Sequence, residues 1–324
     1  MTRPNVYITR LIPSKGIELL QETCKVDINP NDRALTRPEL LEQIKGKDGV
    51  IGLLTDKIDG EFFDTASGIR GYANYAVGYD NIDVTEATRR GIPVSNTPDV
   101  LTDATSDMAW SLLFAIARRI PETQRVMRSG KWPGWGPLQF IGADVTGKTL
   151  GIAGAGRIGT AMALKSIGFK MPVLYTDAVA NPILEKKLGA RRVEFFELLR
   201  KSDFISVHVP LLPETRHMFN AETLAMMKST AILINTSRGP VIKEADLVQA
   251  LKNRVIAGAA IDVYEFEPKM AEGLAELDNV VTTPHTASAT TDAREGMAVL
   301  AAKNLLAMLK GKQGPSCLNP EVFR

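Results

Sequence analysis

Three glycines, Gly154, Gly156 and Gly159, follow the apolar run Thr149–Ala153 and open a segment with helical spacing through Met162 and Leu164. No other feature constrains the fold of this chain so tightly. The first glycine permits the tight strand-to-helix turn, the second lets a pyrophosphate approach the backbone, and the third lets helix and strand pack closely. N–H groups at the start of the helix, including those of Arg157 and Ile158, then hold the anion. Asp177 closes the next apolar run, Val173–Thr176, eighteen residues after Gly159. That is near the ~20 residues expected for a carboxylate that bonds the adenosine ribose hydroxyls. Ala178, Val179 and Ala180 follow it, with no arginine among them to meet a 2′-phosphate. The pattern therefore favours NAD(H) over NADP(H).

Around this turn, strand-like and helix-like segments alternate along the whole chain. Before it come strands at Val6–Thr9, Val26–Ile28, Val50–Leu54, Tyr72–Val77 and Pro93–Asn96. Between them lie helices at Ile17–Glu22, Arg37–Ile44 with Thr36 as N-cap, Glu61–Ala66 and Val84–Arg90. A long helical stretch from Val100 to Arg128, interrupted at Pro121, precedes the turn-rich Lys131-Trp-Pro-Gly-Trp-Gly-Pro137. Six further strands are expected, at Thr149–Ala153, Val173–Thr176, Phe204–Val209, Ala231–Asn235, Ala257–Ile261 and Val280–Thr283. Alternation of this kind implies parallel pairing with crossover helices, hence open α/β sheets. The last helix, Ala293–Leu309, is expected to return to the first sheet. Residues 1–98 with 286–324 then form one discontinuous domain, and 99–285 a dinucleotide-binding domain.

At 324 residues the chain is long enough for two such domains. Its net charge of +2, with signs mixed along the chain, argues against a nucleic-acid partner. Cys24 and Cys317 stand far apart without ligand spacing, which argues against a structural metal and fits a reducing compartment. The N-terminus shows no signal-peptide core, and the apolar run Ala109–Ala117 is too short for a membrane span. A cytoplasmic location follows as the expectation.

Three polar residues far apart in sequence point to chemistry: Arg238 in Thr-Ser-Arg-Gly, Glu267 in Phe-Glu-Pro and His285 in Thr-Pro-His. Reduction of a 2-keto acid needs a cation that binds a carboxylate and polarises a carbonyl, and arginine does both with its planar fork. It needs an acid for the developing alkoxide, for which histidine is suited. A carboxylate beside that imidazole favours its charged form and fixes the ring. His285 and Arg238 follow strand ends, where open α/β sheets place ligands. His208, within a strand, and His217, beside Met218-Phe219, read as packed or capping groups. Spacing alone leaves open whether Arg238, Glu267 and His285 converge.

The chain also resembles the D-isomer-specific 2-hydroxyacid dehydrogenases, most of all their glyoxylate/hydroxypyruvate reductase branch. The resemblance rests on Val77-Gly-Tyr-Asp-Asn-Ile-Asp83, Gly91-Ile-Pro-Val-Ser-Asn-Thr-Pro98, Leu101-Thr-Asp-Ala-Thr105 and the glycine turn. Pro213-Glu-Thr-Arg-His217, Asn235-Thr-Ser-Arg-Gly239, Asp262-Val-Tyr-Glu-Phe-Glu-Pro268 and Thr283-Pro-His285 complete it. It implies two Rossmann-like or flavodoxin-like parallel α/β domains with the active site in a cleft between them. It implies that Arg238 binds the substrate, that His285 is the acid/base and that Glu267 is its partner. Backbone N–H groups of Val77 and Gly78 would hold the carboxylate, with Leu54 nearby. Thr105, Val209, Pro210, Thr215, Thr236 and Asp262 would join the glycine turn and Asp177 around the cofactor, Asp262 at the nicotinamide carboxamide.

By the same resemblance, Trp135 would reach a neighbouring subunit's site in a homodimer, with 121–141 at the interface. One departure stands out: the branch reads Pro-His-Ile-Gly-Ser-Ala, whereas this chain reads Pro-His285-Thr286-Ala287-Ser288-Ala289. Other D-2-hydroxy acids, D-3-phosphoglycerate and phosphite are the alternative substrates. Formate is disfavoured because that branch pairs its histidine with glutamine. An NAD(H)-sensing, co-repressor-like interaction protein is the alternative of a different class.

Overall fold

Short continuous apolar runs, buried on both sides, dictate two sheets, each covered on both faces. A computed structural model describes residues 3–324 and divides the chain into two units: residues through Leu101 with Ala289–Arg324, and Thr102–Ser288.

In the first unit the elements run β1 (Asn5–Ile8), α1 (Ser14–Gln21), β2 (Lys25–Ile28), α2 (Arg37–Gln43), β3 (Gly49–Gly52), α3 (Gly60–Thr65), β4 (Tyr72–Asn74), α4 (Val84–Arg89) and β5 (Val94–Ser95). All pairings are parallel, in the order β2-β1-β3-β4-β5. Thr36 caps α2 in a reciprocal box with Glu39, worth about 1 kcal/mol. One face of the sheet buries Tyr7, Val50 and Tyr72 against Ile44, Phe62 and Phe63. The other face is closed from the far end of the sequence, as Gly49 and Gly71 lie against Leu305 and Met308. Tail residues Ser316 and Asn319 bond the segment around β5.

In the second unit, α5 (Thr102–Ala117) and α6 (Ile120–Arg128) precede a seven-stranded parallel sheet. Its elements are β6 (Leu150–Ala153), α7 (Arg157–Lys165), β7 (Val173–Thr176), α8 (Pro182–Leu188), β8 (Arg191–Arg192), α9 (Phe195–Lys201), β9 (Phe204–Val207), α10 (Ala221–Ala225), β10 (Ile232–Asn235), α11 (Glu244–Lys252), β11 (Gly258–Ile261) and β12 (Val280–Thr282). Their order is β12-β11-β10-β9-β6-β7-β8. Period two divides the side chains: Ile232 and Ile234 join Leu112, Leu113 and Met162 on one face. Leu233, Ile205 and Val207 join Leu198, Leu247 and Leu251 on the other. The helix α12 (Thr291–Leu309) then returns to the first unit.

Four expectations are corrected. The second sheet has seven strands, not six, because the two-residue edge strand β8 is Arg191-Arg192, exposed and without an apolar pattern. The long helical stretch breaks at Arg119, which adopts φ +53, and not at Pro121. Pro121 lies in the first turn of α6, where a missing N–H costs nothing. Strands expected to end at Val77 and Val209 stop at Asn74 and Val207, so Val77, His208 and Val209 belong to strand-end loops. The Val50–Leu54 strand likewise ends at Gly52, which leaves Leu54 in a loop, 37% exposed.

Candidate active site

The glycine turn is built as its chemistry requires. Gly154 has φ +93, and a Cβ there would stand 2.6 Å from the Val209 nitrogen. At Gly159 a Cβ would lie 2.0 Å from the Gly154 oxygen, so helix and turn touch backbone to backbone. Beside Gly156 a Cβ would meet nothing within 4 Å. That is the open side from which a pyrophosphate would approach. Gly156 caps α7 without a side-chain bond, so no capping side chain closes the first turn of the helix. Asp177 follows β7 and accepts the Ala155 N–H at 2.7 Å, which ties its carboxylate to the turn. Thr236, just past β10, has a buried hydroxyl oxygen with no partner among the described residues. An orphaned hydroxyl at this strand end, with the open face of Gly156, fits a dinucleotide.

Thr105 is buried in α5. Val209 and Pro210 follow β9, and Thr215 closes their loop, donating to the Pro210 oxygen at 2.6 Å and accepting the Leu212 N–H at 2.8 Å. One arginine was missed by the sequence reading. Arg192 donates to the Asp177 carbonyl at 2.9 Å and the Ala178 carbonyl at 2.8 Å, so a guanidinium stands beside Asp177 from a different strand.

Glu267 and His285 do converge. The His285 Nδ1 lies 3.0 and 3.2 Å from the two Glu267 carboxylate oxygens. Burial pushes the Glu267 carboxyl up. The hydrogen bond and charge of His285, the Tyr264 N–H and the charge of Arg238 together outweigh it, so it ends below the ordinary glutamate range. Arg238 thus acts on the same carboxylate through its field. Its guanidinium donates to the Ser237 carbonyl at 2.9 Å, while Asn235 ties the turn by donating to the Arg238 carbonyl at 3.0 Å. Gly239 permits this arrangement. A Cβ there would stand 1.9 Å from the Tyr264 carbonyl, so the turn that carries Arg238 and the loop that carries Glu267 meet as bare backbone.

His285 adopts φ +54, an uncommon conformation for a residue with a side chain. Asp262, fully buried after β11, holds it there. The Asp262 carbonyl accepts the His285 N–H at 2.8 Å. Its carboxylate accepts the Thr283 hydroxyl at 2.5 Å, the Thr286 N–H at 2.8 Å and hydroxyl at 3.2 Å, and the Ala287 N–H at 2.7 Å. The Thr286 hydroxyl, part of the sequence departure, therefore adds a bond to the anchor.

The other two histidines differ. Desolvation holds the His208 imidazole down to about 3, so it is neutral at ordinary pH, with Nε2 2.8 Å from the Ser206 hydroxyl. His217 pairs with Glu265 at 2.6 Å, and Glu265 in turn accepts the Glu244 N–H at 3.1 Å.

In the first unit, the Val77 and Gly78 N–H groups donate to no protein acceptor among the described residues. Trp135 is 83% exposed and joins no core. A recess of about 720 Å³ lies where β9, β10, β11 and β12 begin, lined by Arg125, Lys148, Phe204 and Gly258, and none of the predicted site residues line it. Among the described residues no cluster of three or more His, Cys, Asp or Glu could hold a metal ion. No helix there is long and apolar enough to cross a membrane.

A dinucleotide turn on a parallel sheet, followed by an imidazole–carboxylate pair and an arginine at strand ends, defines a nicotinamide-dependent oxidoreductase. The model of the D-isomer specific 2-hydroxyacid dehydrogenase NAD-binding domain matches residues 110–287, and the chain belongs to that family. Glyoxylate reductase of Thermococcus kodakarensis is 51% identical over 326 residues, covering 99% of this chain and 98% of the relative. A solved protein of Thermus thermophilus superposes with TM-score 0.91 at 40% identity, covering 97% of this chain and 99% of that one. The NADPH-dependent glyoxylate/hydroxypyruvate reductase of Sinorhizobium meliloti, solved with NADP and malonate, gives TM-score 0.88 at 31% identity, with 100% and 99% covered.

Proposed function

We propose that this protein reduces a small 2-keto acid, glyoxylate or hydroxypyruvate, to the 2-hydroxy acid, with NADH as donor. The observation that carries the reading is the His285–Glu267 pair, with Arg238 acting on the same carboxylate. When bound, the nicotinamide supplies a hydride to C2. The glycine turn and Asp177 would hold the pyrophosphate and ribose, with Thr105, Val209, Pro210, Thr215, Thr236 and Asp262 around the remainder.

The protein's own residues handle charge and protons. Arg238 binds the substrate carboxylate and carbonyl and offsets the negative charge that builds on the carbonyl oxygen. His285 Nε2 delivers a proton to that oxygen, because Nδ1 faces Glu267. Glu267, ionised at neutral pH, favours the charged imidazolium and fixes the ring. Val77 and Gly78 N–H groups hold the carboxylate, and Leu54 contributes an apolar contact. NADH oxidation measured with a panel of 2-keto acids, phosphite and formate tests the reading. Turnover confined to phosphite or formate, or absent throughout, would overturn it.

Two finer points belong to the same proposal. Asp177 favours NADH, whereas Arg192 beside it supports some use of NADPH, so kcat/KM for the two cofactors should be compared in Arg192→Ala as well as in the native chain. A homodimer is supported by segment 121–141. No residue of α6 is buried, and Leu138 and Ile141 are exposed as well as Trp135. Sedimentation at micromolar concentration reads the mass.

A further inference from the structure

Asn96 follows β5, and its side-chain amide donates to the Val77 carbonyl at 2.7 Å. The next residue, Thr97, donates its N–H to the Ala76 carbonyl at 2.8 Å. In a trans peptide the N–H points opposite to the C=O of the same plane. The Ala76 carbonyl shares its plane with the Val77 N–H, and the Val77 carbonyl shares its plane with the Gly78 N–H. Two bonds from the 96–97 segment therefore set the direction of both amides and turn them away from that segment. A third carbonyl, that of Gly78, accepts the Asn74 amide at 3.0 Å, and Asn74 is itself fully buried at the end of β4.

The clamp has its own support. The Asn96 carbonyl accepts the Ser316 hydroxyl at 2.7 Å and the Asn304 amide at 3.1 Å, while the Asn96 N–H faces the Ser316 carbonyl at 3.4 Å. Asn304 is a buried residue of α12. What emerges is a short piece of backbone with every carbonyl from Ala76 to Gly78 occupied and two amide donors left over. A carbonyl that accepts a hydrogen bond also polarises its own peptide, which strengthens the N–H as a donor.

We propose that Asn96 is a positioning residue for the substrate carboxylate: it holds the Val77–Gly78 peptide in the one orientation that presents consecutive N–H groups to an anion. The proposal rests on the reading that these amides bind the carboxylate. Without the Asn96 amide, the peptide that ends in Gly78 turns easily, because glycine meets few steric limits. Its carbonyl would then face the anion in place of its N–H.

Two variants test this, Asn96→Ala, which removes the donor, and Asn96→Asp, which keeps the size and sets an acceptor against the Val77 carbonyl. Both should raise KM for glyoxylate and Ki for oxalate roughly 10- to 100-fold, the range expected when a charged ligand loses a well-aimed donor. The change in kcat should stay within about threefold, as for an interaction made equally in ground and transition states. NADH affinity, followed by fluorescence, should be unchanged. Asn96→Ser, a smaller donor, serves where alanine fails to fold. Wild-type KM in a folded variant, or losses falling equally on kcat and NADH affinity, would overturn the positioning role.

The underlying reading has a separate test. The chain contains one Val–Gly peptide, so ¹³C-carbonyl valine with ¹⁵N-glycine isolates the Gly78 amide resonance. Oxalate added with NADH should shift it in the native protein. A silent resonance sinks the carboxylate reading itself. A resonance that shifts, beside an unaltered KM in the Asn96 variants, sinks only the positioning role.

Discussion

The second unit contains two imidazole–carboxylate pairs, and they differ in construction. His217–Glu265 is the shorter at 2.6 Å, and the Glu265 side chain is 8% exposed. The second Glu265 oxygen accepts the Glu244 N–H, Glu244 accepts the Glu265 N–H in return, and the His217 N–H is held by the Pro240 carbonyl. Burial raises the Glu244 carboxyl, and the charges of Glu265 and Glu267 push it the same way. All these partners are protein groups. His285–Glu267 is looser at 3.0 Å, with Glu267 32% exposed, and it stands on a left-handed backbone beside an arginine. The difference lies in the carboxylates: both Glu265 oxygens are taken up by protein donors in a nearly closed setting, whereas Glu267 stands half open beside the imidazole.

The largest expected effect separates the two histidines. His285→Ala should lower kcat for glyoxylate by about 10²–10⁴-fold, the usual contribution of a positioned acid. NADH binding, read by fluorescence quenching, should be nearly unaltered. Unchanged turnover would remove His285 from the chemistry and leave the comparison without its working half.

Next comes the pH dependence. Glu267 titrates below the ordinary range, so it carries its charge beside the imidazole throughout neutral pH. Glu267→Gln removes that charge, and the alkaline limb of the reduction profile should move to lower pH. Glu265→Gln should leave the limb where it was. A limb that moves equally in both variants would mean that the pairs do not differ in function. Stability follows the same sign. The depressed Glu267 contributes above its unfolded pKa, and that contribution fades as pH falls through the folded value.

His217→Leu should act mainly on stability, because it leaves the buried Glu265 short of a partner. A cost of about 1–3 kcal/mol corresponds to a fall in Tm of roughly 2–4 °C per kcal/mol. Differential scanning calorimetry reads it, with kcat expected to stay within about tenfold of wild type. The smallest effect belongs to Thr286→Val, which removes a 3.2 Å bond to Asp262 while keeping the side-chain shape. About 1 kcal/mol or less is at stake, seen as a severalfold rise in KM for NADH. No change would show that the backbone bonds from Thr286 and Ala287 hold the loop unaided.

Much of this was legible from residue order. Strands announced themselves as apolar runs, and the three glycines do form the turn between β6 and α7 that their spacing suggested. What escaped has physical reasons. Strand-end loops keep the apolar character of the strands they continue, so Val77 and Val209 read as strand although neither belongs to one. Arg191-Arg192 forms an edge strand through backbone bonds alone, which hid the arginine beside Asp177. The meeting of Glu267 with His285 depends on Asp262 and on bare backbone at Gly239, and no spacing rule encodes either. Asn96 stood only as one member of the Gly91–Pro98 motif with no role of its own, since a turn asparagine looks the same whether it aims a peptide or only caps one.

The route of the chain through its two units also has a consequence for biogenesis. Everything in the second unit is contiguous, so it can fold as soon as residue 288 clears the ribosome. The first unit is synthesised earlier yet must wait, since α12 covers its sheet and the tail braces Asn96. The nascent protein would thus complete its NAD-binding unit before its first unit, and the older residues would be the last to become native.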